Sequence, residues 1–196
     1  MLKRIFDVFF SLLGLIFLLP VFVIISIWII FDSKGGVFYL QSRVGKNGKN
    51  FRLYKFRTMT TGADQKGLLT VGAKDSRVTK AGYLLRKYKL DEFPQLLNVL
   101  KAEMSLVGPR PEVRKYVDMY SKDQLNVLKV KPGITDYASI EYSNENELIG
   151  GAVDPEKLYI QEIMPAKLLL NLKYINSPGL GTDIKIILKT IFKLIK

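Results

Sequence analysis

From Val8 to Phe31 the chain runs 24 residues without a charge, mostly Leu, Ile, Phe and Val, interrupted only by Ser11, Gly14, Pro20 and Ser26. As a helix this block would reach ~36 Å, enough to cross a hydrocarbon core of ~30 Å. It is too long for a secretory leader, and no small-x-small cleavage site follows it. Pro20 sits at its centre. There a missing N–H and a ring that clashes with residue 16 bend or break a helix, leaving halves of ~18 Å. Both flanks are basic, with Lys3 and Arg4 before and Lys34, Arg43, Lys46 and Lys49 after. The positive-inside tendency places both on the cytoplasmic face, which suits a re-entrant hairpin and not a spanning helix. Because kinked spanning helices are common, these features alone weigh the two equally.

Beyond the block, Val37–Val44 and Asn50–Met59 read as strands joined by Gly45-Lys46-Asn47-Gly48-Lys49, where Asn47-Gly48 is a hairpin signal. Polar Thr60–Ser76 reads as a loop. Thr79 is placed to cap a helix to about Tyr88, and a second should begin near Asp91–Pro94. Val113, Tyr116, Val117 and Tyr120 fall at i, i+3, i+4 and i+7 of an amphipathic helix. Ser121 with Gln124 forms a capping-box pattern, and Lys131-Pro132-Gly133 reads as a type II turn. In 182–196, Lys185, Lys189 and Lys193 mark one face; Ile184, Ile187, Leu188, Ile191, Phe192 and Ile195 make the other. Such a helix suits a membrane interface or a protein core. The expected fold is predominantly α with a small β-hairpin (α+β). Residues 1–35 form a re-entrant membrane hairpin, and 36–196 a compact cytosolic domain with interfacial amphipathic helices.

Composition narrows the chemistry. With no Cys and no His among 196 residues, thiol nucleophiles, imidazole bases and zinc sites are excluded. Carboxylates, Lys, Tyr, hydroxyls or a hard metal ion remain. The net charge of +12 calls for a polyanion. Residues 1–60 hold nine bases against Asp7 and Asp32, whereas 136–162 hold seven acids against Lys157. Positive charge gathered beside an apolar block favours an anionic membrane over nucleic acid.

Three short stretches could carry chemistry. In Leu90-Asp91-Glu92-Phe93-Pro94, two acids open a helix just after Arg86, Lys87 and Lys89. A helix N-terminus attracts phosphate, and nearby cations keep a carboxylate ionised. Equally, Asp91 could be a plain N-cap and Glu92 a first-turn acid, which is the better bet for the dipeptide alone. Arg110, between Pro109 and Pro111, is held at low entropic cost, as a phosphate clamp or within a stiff connector. Lys55 and Arg57 end a predicted strand with two cations, as phosphate contacts or as a charged edge.

Taken in order, these segments form a series. It runs Lys3-Arg4-Ile5-Phe6-Asp7, the Pro20-interrupted block, Tyr54-Lys55-Phe56-Arg57-Thr58-Met59, Leu84-Leu85-Arg86, Leu90-Asp91-Glu92-Phe93-Pro94-Gln95, Ser105-Leu106-Val107-Gly108-Pro109-Arg110-Pro111 and Lys131-Pro132-Gly133-Ile134-Thr135. From residue 3 to about 135 it resembles the bacterial sugar transferases, the monotopic polyprenol-phosphate phosphoglycosyl transferases. The resemblance implies transfer of a phosphosugar from a UDP-sugar to polyprenol phosphate (undecaprenyl phosphate), with release of UMP. Asp91 would be the nucleophile of a covalent aspartyl-phosphosugar and Glu92 its dyad partner. Mg²⁺ would sit near Asp91, and Arg110, Arg86, Lys55 and Arg57 would contact phosphate, with Pro109 and Pro111 framing the turn. Pro20 would break the membrane helix. The enzyme would lie monotopically on the cytosolic face of the bacterial inner membrane, with no nucleic acid partner and with room for a homodimer. A non-catalytic membrane anchor is the alternative. The chain departs from the family pattern at Leu19, where many relatives have Ser, and after Thr135, where many continue Gly-Trp with an Arg soon after.

Overall fold

The computed structural model describes residues 1–63 and 75–195. Helix α1 (Leu2–Asp32) takes in the whole apolar block. Its backbone stays helical through Pro20, so the block is one element here and not two half-helices. The reason lies in packing, because the body of the protein holds α1 on both sides of the proline. Near its start, Lys3 donates to Val107 O (3.0 Å) and Asp183 (2.5 Å), and Arg4 donates to Val99 O and Leu100 O. Buried Asp7 accepts from Ser105 Oγ and Leu106 N, both at 3.1 Å. Near its end, Ile25 and Ile29 are buried against Phe56 and Leu85, while Asp32 accepts from Ala81 N (2.9 Å). The opposite face of α1, including Phe9, Leu13, Phe17, Ile24 and Phe31, is exposed. By length and composition α1 could cross a membrane.

Strands β1 (Phe38–Val44) and β2 (Asn50–Phe56) pair antiparallel, with Phe38 opposite Phe56 and Val44 opposite Asn50. Asn47 (φ 57°) and Gly48 (φ 73°) make the left-handed turn expected of that dipeptide. Helix α2 (Lys80–Lys87) starts at Thr79, whose hydroxyl accepts from Gly82 N (3.0 Å). Of the loop expected over Thr60–Ser76, residues 64–74 lie outside the described residues. Helix α3 (Gln95–Leu100) packs along α1, where Gly14 lets Leu96 approach: an added Cβ would lie 3.3 Å from Leu96 Cδ1.

A second sheet was not foreseen. Strands β3 (Ser105–Val107) and β4 (Gly133–Thr135) run parallel, each too short to show alternation. The type II turn expected at Lys131-Pro132-Gly133 is absent, since Gly133 has no positive φ. Glycine is needed there for proximity: a Cβ would come within 2.0 Å of Gly108 N. The helix expected through Tyr120 is a single turn, α4 (Arg114–Val117), although Val113, Tyr116 and Val117 are buried as its pattern requires. Ser121 and Gln124 form the reciprocal capping box, heading a 3₁₀ helix over Gln124–Lys129.

Short helices α5 (Tyr137–Glu141), α6 (Glu145–Gly150) and α7 (Pro155–Leu158) lead through a π turn into α8 (Met164–Asn176). Their inner faces build the largest core cluster, around Tyr116, Ile149, Tyr159, Ile163 and Leu168. Helix α9 (Leu180–Ile195) closes the fold by burying Ile186 against Val107 and Tyr174. Ile184, Leu188, Ile191 and Phe192 remain exposed. Its apolar character is thus divided between a core side and an open side.

Candidate active site

Asp91 does not cap a helix. After α2 the chain turns at Lys89, a non-glycine residue at φ 55°, and makes one 3₁₀ turn, Leu90–Glu92. Pro94 then stands at the N-cap of α3, where no N–H is needed for the helix. The Asp91 side chain makes no capping bond, which removes the plain N-cap explanation of the dipeptide. A left-handed non-glycine residue is sparsely populated backbone, held in place by its surroundings.

The two acids have opposite environments. Lys55 from β2 donates to Glu92 Oε1 at 2.9 Å. Arg110 grips the same carboxylate with both terminal nitrogens, Nη1 reaching Oε2 at 3.0 Å. The turn carrying Arg110 is itself fixed. Asp136 accepts from Arg110 N (3.0 Å), Pro109 O accepts from Gly133 N, and Pro111 O accepts from Arg43 Nη1. Asp91 is buried too, yet among the described residues its carboxylate makes no hydrogen bond or ion pair. Burial pushes its pKa above the ordinary 3.8; Lys55 opposes that shift and the Glu92 charge reinforces it. Burial works on Glu92 in the same direction, but Arg110 and Lys55 together hold it well below 4.5.

These groups line a groove of about 1480 Å³. Arg86 joins them: its Nε donates to Thr58 Oγ1 at 2.9 Å. Gly82 allows this approach, since a Cβ there would meet Thr58 O at 2.0 Å. Burial lowers the Arg86 pKa, and Asp91 opposes that shift. Arg57 also lines the groove, but its guanidinium turns into the end of α1. It donates to Ser33 O (2.7 Å) and Lys34 O, tying down the chain just past the last residue of α1. Pro109 and Pro111 flank Arg110 as expected from their order, whereas Pro20 is not part of the groove lining. The lining also takes in Phe6 and Phe10 of α1, Ile187 and Ile191 of α9, and the polar side chains of Ser139, Tyr142, Ser143 and Asn146. Among the described residues no three acids cluster to cage a metal ion. A carboxylate without a protein partner among those residues, Asp91, near Lys55 and Arg86, fits Mg²⁺, which keeps most of its waters and binds through one or two carboxylates and substrate phosphates.

The bacterial sugar transferase family model matches residues 1–196. The chain belongs to that family. It is 35% identical over 193 residues to a UDP-N-acetylgalactosamine-undecaprenyl-phosphate N-acetylgalactosaminephosphotransferase of Aeromonas hydrophila, covering 97% of this chain and 43% of that protein. It is 40% identical over 198 residues to an uncharacterized sugar transferase of Bacillus subtilis (strain 168), covering 99% and 87%. A UDP-glucose:undecaprenyl-phosphate glucose-1-phosphate transferase of Klebsiella pneumoniae is 37% identical over 195 residues, covering 97% and 39%. The chain therefore spans less than half the length of the Aeromonas and Klebsiella relatives.

Within this member of the family, sequence reasoning missed a second ionic cluster at the groove, half-buried around Glu112. Glu112 accepts from Arg43 Nη1 (2.8 Å), from Val113 N (2.7 Å) and from the Tyr159 hydroxyl. From sequence Arg43 is only one of the charges flanking the apolar block, and no local spacing joins residues 43, 112 and 159. It also missed the Asp7–Ser105 and Lys3–Asp183 anchors, for the same reason of distance along the chain.

Proposed function

We propose that this chain is a phosphoglycosyl transferase that moves a phosphosugar from a UDP-sugar onto polyprenol phosphate (undecaprenyl phosphate in the named relatives), releasing UMP. The observation that carries the reading is Asp91: a buried, unpaired carboxylate beside a glutamate already spent on Lys55 and Arg110. A carboxylate with no partner, in a groove rich in cations, is available to attack phosphorus.

In the first step an Asp91 oxygen bonds to the β-phosphorus, the bond from that phosphorus to the bridging oxygen breaks, and UMP leaves with its electron pair. In the second step a phosphate oxygen of the polyprenol phosphate attacks the same phosphorus. The Asp91–phosphorus bond breaks, and the carboxylate is regenerated. Arg110 and Lys55 offset diphosphate charge, and Arg86 does the same from α2. Glu92 holds Arg110 and Lys55 in register and is a positioning residue. Mg²⁺, recruited with the diphosphate and held on the protein side by Asp91, would supply further charge neutralisation.

What supports a monotopic membrane arrangement is α1. Lys3–Asp7 and Ile25–Asp32 are both fastened to one body, which favours both ends of α1 on one side of a bilayer. In this reading its exposed apolar face and that of α9 seat residues 1–35 and 182–196 monotopically in one leaflet. Residues 36–181 face the bacterial cytosol, and the apolar part of the groove lining opens toward lipid. Cysteines placed at residues 2 and 36 should be labelled from the same side; labelling from opposite sides would reinstate a spanning helix.

For the reaction, purified protein is incubated with UDP-sugars and undecaprenyl phosphate, and UMP is measured. With UDP-sugar alone, about one UMP per enzyme should be released, leaving a phosphosugar adduct on Asp91. If the first UMP appears only with the lipid acceptor present, the covalent route fails and direct attack replaces it.

A further inference from the structure

The lining of the groove includes residues between 139 and 149 that the reaction above does not use. Asp136 joins them to Arg110: one carboxylate oxygen accepts from Arg110 N (3.0 Å), the other from Ser139 N (2.6 Å), starting α5. The lining takes in Ser139 of α5, Tyr142 and Ser143 of the turn that follows, and Asn146 of α6, four polar groups within eight residues. Lys167 of α8, also in the lining, pairs with Glu145 at 2.7 Å and lies 5.6 Å from the Tyr159 ring centre. Buried Ile149 lines the groove as well. Ser139 Oγ is buried with no hydrogen-bond partner among the described residues. A buried hydroxyl in a groove wall with nothing to bond is a position waiting for a ligand group.

We propose that this stretch of the groove, lined by Ser139, Tyr142, Ser143, Glu145, Asn146 and Lys167, seats the hexose of the nucleotide sugar and selects which sugar is accepted. The inference rests on the phosphosugar transfer proposed above. Displacement at phosphorus is in line, so UMP leaves opposite Asp91, and the lipid phosphate later arrives from that same direction. Those two groups use one locus in turn. The sugar stays on the phosphorus through both steps and needs a separate space, which the apolar part of the lining cannot provide. Hydroxyls, an amide, a carboxylate and an ammonium are the donors and acceptors that distinguish sugar hydroxyl configuration and an acetamido group. A site that hydrogen-bonds a substrate group rejects the analogue lacking it, because its own polar atoms are then left unpaired.

The test compares wild type with Asn146→Ala, Ser139→Ala and Glu145→Gln. Readouts are kcat/KM for UDP-glucose, UDP-galactose, UDP-N-acetylglucosamine and UDP-N-acetylgalactosamine with undecaprenyl phosphate, together with product inhibition by UMP. Asn146 is exposed at the rim, so its variant keeps the fold even if the Glu145 variant loosens α6. The expected result is a change of about tenfold or more in the ratio between two sugars, with UMP inhibition unmoved. A common loss across all four sugars overturns the proposal. A shift in UMP inhibition at constant sugar ratios also overturns it, and assigns this stretch of the groove to the nucleoside. Wild type inert with every sugar would instead defeat the transfer reaction itself.

Discussion

Glu92 and Glu112 are both half-buried glutamates in the same groove, and the charges around them differ in kind. Glu112 is bonded by one cation, Arg43, with the Lys167 charge acting from further off, and its remaining bonds come from a tyrosine hydroxyl and a backbone N–H. Its cluster is closed. Glu92 is bonded by two cations, Lys55 and Arg110, and a second carboxylate, Asp91, stands unpaired beside it. Closed ionic clusters hold a fold together, whereas an unpaired carboxylate in an open groove is unfinished until a ligand arrives. That unpaired acid separates a site from a scaffold when both are built from the same residue types.

The sharpest way to break this contrast is Asp91→Asn. Shape is kept and the attacking oxygen anion is lost, so UMP release should fall by at least about 10³-fold. Stability should move the other way. The Asp91 pKa is raised in the fold, so its charged form is a cost at neutral pH, and the amide removes that cost. Thermal denaturation should show a melting temperature equal to or above wild type; an active Asn variant, or a destabilised one, contradicts the assignment. In the native enzyme the same shift puts the acid limb of kcat/KM above 3.8.

Glu92→Gln comes next. It leaves Lys55 and Arg110 facing each other without their shared anion. Discounted for the partial exposure of Arg110, the cost is about 2–3 kcal/mol in chemical denaturation, with turnover down about 10²-fold. The folded pKa of Glu92 lies below 4.5, so its contribution is full above that value and disappears as pH falls through the folded pKa. Wild type should lose stability below about pH 4.5, and the Gln variant should lose less over that interval. Glu112→Gln should show the smallest effect. Gln can keep bonds to Tyr159 and Val113, so stability falls about 1–2 kcal/mol while turnover stays within about threefold of wild type. Equal losses of activity at 92 and 112 would erase the distinction between site and scaffold.

How far the sequence reveals this arrangement depends on how local each feature is. The hairpin at Asn47-Gly48, the Thr79 cap and the Ser121–Gln124 box are decided within a few residues, and all three stand as read. Asp91 and Glu92 could be singled out but not told apart, because Lys55 and Arg110, which commit Glu92, lie 37 and 18 residues away. Arg57 carries the same charge as Lys55 two positions on, and only the path of α1 shows that its guanidinium ties down the chain just past that helix. Gly133 reads locally as a turn glycine, whereas contact with Gly108 is what requires it. The continuity of α1 through Pro20 was the least legible feature, since the constraints that keep the helix whole come from β3, β2 and α2.

The anchoring of α1 also bears on how the protein is made. Arg4 and Asp7 bond to groups 95 to 99 residues further along the chain. At synthesis rates of about 5–20 residues per second, α1 waits roughly 5–20 seconds for those partners. Throughout that interval a 31-residue apolar helix is outside the ribosome with no protein surface to cover it. In the membrane arrangement proposed above the bilayer would receive it, so delivery would precede folding and the rest of the chain would assemble onto an element already in place. Overproduction that outpaces delivery should fail by aggregation of nascent chains, before any active site exists to be judged.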